Sequence, residues 1–140
     1  MNETLPPPSS ADPVVFWGGG AIGGCIAAYL ARAGVPVLLV DVVKEHVEAC
    51  RGAGLAIEGK IENFTQRLPA ATPQELTGTY SRIVLAVKAQ ATEAALEQLL
   101  PHLRPEGFVL SAQNGLNESV IARRAGAART MGCFVNFGAD

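Results

Sequence analysis

The sequence has too few cysteines, in the wrong arrangement, for a disulfide framework or a metal centre. Its three cysteines, Cys25, Cys50 and Cys133, are odd in number and show neither C-x-x-C nor cysteine–histidine ligand spacing. Secreted domains of this size usually carry paired cysteines or an export signal, and neither pattern is present. We therefore interpret the cysteines as small core residues and expect a cytoplasmic protein without a metal cofactor.

The chain also lacks a strong charge bias and a long hydrophobic run. Its 11 basic and 13 acidic residues give a formal net charge of −2, which leaves no electrostatic footprint for a nucleic-acid backbone. The apolar stretch 21–33 is too short and too rich in glycine to span a membrane. We therefore expect neither nucleic-acid nor membrane partners, while the oligomeric state stays open, a homodimer included.

What the sequence does contain is typical of one α/β domain. A chain of 140 residues with 49% hydrophobic residues and 15 glycines can bury a core and form many tight turns. Residues 1–13 are acidic and rich in proline, and we expect them to form a flexible leader. The folded domain is then predicted to span residues 14–140.

Within residues 14–140, short apolar runs alternate with helical segments. Runs rich in β-branched residues predict strands at 14–17, 37–40, 83–87, 108–110 and 130–135. Helices are predicted from residue 21 and over 44–51, 90–100 and 117–125, with Pro101 and Pro105 ending the third. Residues 55–69 are interpreted as a hairpin or a short irregular excursion. This alternation predicts a doubly wound, mostly parallel sheet with helices on both faces.

A glycine-rich turn lies between the first predicted strand and the first predicted helix. It reads Gly18-Gly19-Gly20-Ala21-Ile22-Gly23 and matches the G-x-G-x-x-G pattern of dinucleotide-binding Rossmann domains. In that pattern the first glycine permits the tight turn, the second admits the pyrophosphate, and the third lets the helix pack closely on the sheet. The alternative is a glycine turn that serves packing alone.

Asp41 ends the second predicted strand, eighteen positions after Gly23. A carboxylate at this place can accept hydrogen bonds from the hydroxyls of the adenosine ribose and would repel a 2′-phosphate. NAD is therefore favoured over NADP. Asp41 can instead serve as the N-cap of the helix that follows, and the two roles do not exclude each other.

Two further polar residues follow predicted strands. Lys88 comes after the strand at 83–87, and Asn114 comes after the strand at 108–110. Ligands of open α/β sheets lie outside the carboxyl ends of the strands, so both residues are expected to face the same crevice as the glycine turn. The simpler interpretations are a solvated lysine at a strand end and an Asn114-Gly115 turn.

These motifs resemble the ketopantoate reductases (2-dehydropantoate 2-reductases). Members show a strand ending in Val-Lys before a threonine-containing helix, here residues 87–92, and a strand ending in Gln-Asn-Gly, here residues 113–115. The resemblance runs from about residue 14 to the C-terminus. It implies an NAD(P)-binding Rossmann domain, with Lys88 beside the nicotinamide and Asn114 bonded to the nicotinamide ribose or the substrate. The implied reaction is reduction of a 2-keto acid such as ketopantoate, a step of pantothenate biosynthesis.

The chain departs from the family pattern in two ways. NADPH-dependent members often carry a basic residue near the end of the second strand, whereas this chain has Asp41-Val42-Val43 and is similar there to NAD-dependent D-2-hydroxyacid (D-mandelate-type) dehydrogenases. Members also continue into a helical C-terminal domain that supplies a general-acid lysine and a substrate-binding glutamate. We expect this chain to lack that domain, and a truncated gene product or an expressed domain would account for it.

The sequence alone assigns no catalytic residue to this chain. Lys88 is a candidate for orienting substrate or cofactor, and the two histidines, His46 and His102, are predicted to be surface residues. A stand-alone NAD-sensing module without turnover is the alternative function, because this fold hosts many activities. Trp17, next to the glycine turn, is expected to report ligand binding by fluorescence.

Overall fold

The computed structural model describes residues 12–113 and 118–132. Its strands are β1 Val14–Trp17, β2 Val37–Val40, β3 Leu55–Ile57, β4 Phe64–Gln66, β5 Ala70–Ala71, β6 Tyr80–Leu85, β7 Leu103–Ser111 and β8 Thr130–Gly132. Its α-helices are α1 Ala21–Arg32, α2 Lys44–Arg51, α3 Thr92–Leu99 and α4 Glu118–Ala125. Short 3₁₀ turns cover Ala89–Ala91, Leu100–His102 and Ala127–Arg129.

Six strands form one parallel sheet in the order β5-β2-β1-β6-β7-β8. The chain order reverses between β1 and β6, so the two central strands flank the topological switch point. Consecutive residues of β1 point to opposite faces, and each face buries a separate core. Phe16 packs with residues of α1 and α2, whereas Trp17 packs with residues of α3 and α4. The prediction of a doubly wound parallel sheet is confirmed.

The sheet contains one strand that the sequence did not indicate. The two residues of β5 pair with the end of β2, in the register Leu39 with Ala70 and Val40 with Ala71. Alanine has low strand propensity, so no local pattern marks this segment. The preceding residues form the predicted hairpin, with β3 antiparallel to β4. Phe64 fastens this hairpin to α1, since Tyr29 packs edge-on against its ring and Arg32 lies over it.

The seventh strand and the helix before it differ from the prediction. Strand β7 begins at Leu103 rather than Phe108, so Pro105 lies inside a strand and does not end a helix. The register between β6 and β7 shifts at this point, and proline is tolerated at such an irregularity because it has no N–H to donate. Helix α3 is correspondingly shorter than predicted, with a 3₁₀ turn at each end.

Asp12, near the end of the expected leader, contacts residues of the sheet. Asp12 accepts a hydrogen bond from the backbone N–H of Ser81 at 3.0 Å and lies 3.3 Å from the Arg104 guanidinium. Its carbonyl accepts a second bond from Arg82 at 2.6 Å. Asp12, which lies within the predicted leader of residues 1–13, is therefore bound to the sheet by these contacts. Residue 117 and residues 133–135, predicted in the last helix and strand, lie outside the described residues.

Candidate functional site

A cleft of about 510 Å³ opens at the carboxyl ends of the central strands. We call it the strand-end cleft. The described residues that line it are Gly18, Gly20, Ala21, Ile22, Asp41, Ala86, Val87, Lys88, Ala89, Gln90, Ala112 and Gln113. The structure thus brings together the glycine turn, the end of β2 and the segments after β6 and β7, as the sequence predicted from the position of the strand ends.

The three motif glycines meet three different constraints. Gly18 has a φ of +108°, and a Cβ there would lie 2.9 Å from the carbonyl carbon of Ala86. A Cβ on Gly23 would collide with the carbonyl oxygen of Gly18, so helix α1 approaches the turn as closely as the backbone permits. A Cβ on Gly20 would meet nothing within 4 Å, and this residue lines the cleft. These surroundings are the ones that the dinucleotide-binding pattern requires.

Helix α1 presents its N-terminus to the strand-end cleft. Gly24 donates the first helical bond to the carbonyl of Gly20 at 2.8 Å, so the N–H groups of residues 21–23 precede the helical hydrogen-bond ladder. Among the described residues, no side chain caps this end and no acidic residue lies in its first turn. Free N–H groups and the positive end of the helix dipole together favour an anion such as a pyrophosphate.

Asp41 forms the wall of the cleft at the end of β2. Its Oδ2 accepts the N–H of Gly19 at 2.7 Å, and its Oδ1 accepts the N–H of Val43 at 2.9 Å. The N-cap of α2 is Val43 itself, so Asp41 forms the turn before the helix and the predicted N-cap role is wrong. Each carboxylate oxygen keeps a second lone pair, which leaves acceptor capacity for a ligand hydroxyl.

Lys88 lies on the opposite wall, where the chain leaves β6. Its side chain is exposed, and it lines the same cleft as Asp41 and the glycine turn. The cleft therefore carries a carboxylate on one wall and an ammonium group on the other. Asn114, the other residue predicted here, lies outside the described residues.

Gln113, the residue before Asn114, links the segments that form this wall through hydrogen bonds. Its side-chain amide donates to the carbonyl of Val87 at 2.7 Å and to Thr92 Oγ1 at 2.9 Å. Ser111 Oγ donates to its Oε1 at 3.3 Å. Gln113, Thr92 and Ser111 are all buried, so their polar groups depend on one another. The network fixes the segment that carries Lys88, a role that the residue types alone did not reveal.

Replacing Gln113 by leucine should lower the free energy of unfolding by about 2–4 kcal/mol, because Thr92 Oγ1 and the Val87 carbonyl lose their buried partner. Urea denaturation followed by circular dichroism measures the loss. The matched control is Gln66→Leu on β4. Among the described residues, its side-chain amide donates to the neighbouring Arg67 carbonyl alone, and a change within about 0.5 kcal/mol is expected there. Equal stability of the two variants would remove Gln113 from this role.

The two histidines are less exposed than predicted, and Trp17 is buried. His46 is half-buried, and its Nε2 lies 2.6 Å from the carbonyl oxygen of Gly19. His102 is also half-buried, and its Nδ1 lies 2.8 Å from the carbonyl oxygen of Gly78. Trp17 is buried in the core and is not among the residues lining the cleft. The histidines are therefore not simple surface residues, and calorimetry is a better probe of binding than Trp17 fluorescence.

A second groove of about 450 Å³ lies on the other side of the glycine turn. We call it the hairpin groove, and it is lined by Gly19, Gly20, Ala21, Cys25, Tyr29, His46 and residues 55–62. Among the described residues that line this groove, none belongs to a strand of the parallel sheet. The strand-end cleft is the better candidate site, because ligands of open α/β sheets bind at those ends.

In the parts of the chain that the structure describes, no helix is long and apolar enough to cross a membrane. Nor do the described residues contain a cluster of histidine, cysteine, aspartate and glutamate side chains that could hold a metal ion.

Comparison with known proteins identifies relatives of this architecture. Residues 14–140 match the family described as ketopantoate reductase PanE/ApbA. A 2-dehydropantoate 2-reductase of Mesorhizobium japonicum is 36% identical over 103 residues, which cover 74% of this chain and 32% of the relative. The chain spans about a third of the length of the curated relatives that it matches.

Two solved structures have the same fold. The 2-dehydropantoate 2-reductase from Geobacter metallireducens superposes with a TM-score of 0.73 at 29% identity, covering 85% of this chain and 40% of that one. A D-mandelate dehydrogenase in a ternary structure with NADH and anilino(oxo)acetate gives a TM-score of 0.77 at 25% identity, with coverages of 84% and 39%. The six-stranded parallel sheet is thus a Rossmann-like fold of the NAD(P)-binding type.

Proposed function

The chain belongs to the ketopantoate reductase PanE/ApbA family, and on that premise we propose that it binds NAD(H) in the strand-end cleft as the cofactor domain of a 2-keto acid reductase. The observation that carries the proposal is the meeting of the glycine turn, the free N-terminus of α1 and Asp41 at the ends of parallel strands. A dinucleotide needs an anion site for its pyrophosphate and an acceptor for its ribose hydroxyls, and the cleft provides both.

Asp41 supports NAD rather than NADP as the cofactor. Its carboxylate is held in place by two backbone N–H groups, from Gly19 and Val43, so it cannot easily turn away from a bound ribose. A 2′-phosphate at this wall would meet a fixed negative charge, and the next two residues, the exposed Val42 and Val43, carry no charge to offset it. The D-mandelate dehydrogenase of the same fold was solved with NADH, which agrees with this preference.

The reaction follows from the chemistry of the cofactor. A bound nicotinamide supplies a hydride to the carbonyl carbon of the 2-keto acid. The residues of this chain would orient that nicotinamide, with Lys88 on the cleft wall placed to contact the cofactor or the substrate carboxylate. Ketopantoate is the proposed substrate, and the resemblance to D-mandelate dehydrogenase makes another D-2-hydroxyacid the second candidate. In either case a second domain would supply the proton donor.

The chain should bind NADH at least about tenfold more tightly than NADPH, which corresponds to roughly 1.4 kcal/mol. The physical reason is the like charge that Asp41 presents to the 2′-phosphate. Isothermal titration calorimetry with both cofactors measures the ratio. Asp41→Asn removes the charge and one of the two acceptors for backbone N–H groups. Both cofactors share the second loss, so the change in the ratio reports the charge, and the ratio should fall about fivefold or more.

The control for this measurement is Glu45→Gln, which removes the same unit of charge from the exposed first turn of α2. It should leave the ratio within about twofold of the wild type, because an exposed charge acts weakly through water. Equal or tighter binding of NADPH by the wild type would exclude Asp41 from cofactor selection. If the two variants changed the affinity ratio equally, Asp41 would act only through the overall charge of the protein.

A further inference from the structure

His46 contacts the phosphate-binding turn from the side away from the strand-end cleft. It lies in the first turn of α2, lines the hairpin groove and is not among the cleft residues. Its Nε2 lies 2.6 Å from the carbonyl oxygen of Gly19. A carbonyl oxygen can only accept, so Nε2 carries the hydrogen and donates it to Gly19.

The same glycine is held at its other end by Asp41. The N–H of Gly19 donates to Asp41 Oδ2 at 2.7 Å. The backbone N–H and the carbonyl of Gly19 are therefore both bonded to side chains, the N–H to Asp41 and the carbonyl to His46. Space around Gly19 is equally restricted, because a Cβ there would lie 2.7 Å from Leu39 Cδ2 and 3.0 Å from His46 Nε2. The middle of the turn is therefore fixed by direct contacts and not by glycine stereochemistry alone.

The surroundings of His46 leave its hydrogen bond to Gly19 undisturbed. The Sγ of Cys50 lies 3.9 Å from Nε2. Burial raises the pKa of the Cys50 thiol, and the negative charge of Asp41 raises it further. The thiol is thus protonated at neutral pH and places no anion beside the imidazole that would compete with Gly19 for the hydrogen on Nε2.

We propose that His46 is a positioning residue of the dinucleotide site, which acts through Gly19 and does not touch the cofactor. By fixing the Gly19 peptide it keeps Gly20 and the first N–H groups of α1 aimed into the cleft before a ligand arrives. Such preorganisation raises affinity because the ordering does not have to occur on binding. The inference rests on the proposed dinucleotide binding, which the wild-type titration tests separately.

The binding experiment compares three variants by calorimetry with NADH. His46→Leu removes the donor and leaves the Gly19 carbonyl unpaired, which should weaken binding about five- to tenfold. His46→Gln places an amide N–H the same number of bonds from Cα and should restore affinity to within about twofold. The matched control is His102→Leu, which also removes a histidine bonded to a glycine carbonyl but lies away from the cleft, and its affinity should stay unchanged.

Amide hydrogen exchange of the ligand-free chain provides a readout that does not depend on NADH. His46→Leu should speed exchange of the Gly19 N–H about tenfold, while the N–H of Val84 in the central sheet keeps its rate. Faster exchange throughout the sheet, or no change at Gly19, would overturn the inference in favour of a general stabilising role. Loss of affinity that glutamine fails to rescue would overturn it as well. If the wild type bound no NADH, the proposed function would fail, and exchange at Gly19 would still decide whether His46 fixes the turn.

Discussion

Gly20→Val should abolish dinucleotide binding and leave the fold intact. Gly20 has a φ of −74° and a ψ of −157°, an extended conformation that valine adopts without strain. Its missing side chain would meet nothing within 4 Å, and Gly20 lines the strand-end cleft. Valine there would occupy the place of the pyrophosphate and deny it the N–H groups of α1, so affinity for NADH should fall at least about a hundredfold, or roughly 2.7 kcal/mol.

Two comparisons separate this effect from damage to the fold. Gly59→Val adds the same side chain at an exposed hairpin glycine that also has nothing within 4 Å, and it should bind NADH like the wild type. Gly23→Ala should instead fail to fold properly, because its Cβ would collide with the Gly18 carbonyl and lie 2.9 Å from Ala86 Cβ. The measurements are calorimetric titration and thermal melting. Retained affinity in the folded Gly20 variant would remove the glycine turn from the site.

The order of strands and helices could be predicted because the apolar runs are short and the glycines punctuate them. The position of the site followed from the same pattern, since the glycine turn and Asp41 each come directly after a strand. Parallel strands bring such positions to one edge whatever the intervening sequence. The pattern could not predict which other side chains hydrogen-bond to the segments at this edge and hold them in place.

Gln113 and His46 illustrate that limit. Gln113 is a polar residue beside a turn-forming dipeptide, and nothing local indicates that Val87 and Thr92 lie within its reach, 26 and 21 positions away. His46 belongs to an exposed, polar helix in sequence, and its contact with Gly19 depends on how α2 packs beside β1 and β2. Both roles arise from contacts between elements that are distant in sequence, and strand β5 was missed for the same reason. Local periodicity carries no information about such contacts.

The 140 residues alone should not reduce a 2-keto acid at a rate distinguishable from background. Hydride transfer requires the carbonyl to be held against the nicotinamide, and loss of that positioning can forfeit roughly 7–11 kcal/mol of barrier reduction. The sequence contains three lysines, of which Lys44 begins α2 and Lys60 lies in the hairpin. Only Lys88 reaches the strand-end cleft, and its side chain is exposed to water. An exposed lysine lacks the environment that makes a proton donor effective near neutral pH.

The test follows the oxidation of NADH by its absorbance, with ketopantoate and with aromatic and aliphatic 2-keto acids as substrates. NADH is present at concentrations where its binding has been shown by calorimetry. The 2-dehydropantoate 2-reductase of Mesorhizobium japonicum, which is about three times as long as the matched segment, serves as the active control. Binding without turnover is the expected result, because the proposed cofactor site lies within the described residues and we propose that a second domain supplies the proton donor. Robust turnover would mean that Lys88, or a residue outside the described part of the chain, performs the proton transfer that we assign to a second domain. A Lys88→Met variant would then decide between those two sources, since it keeps the length of the side chain and removes the proton.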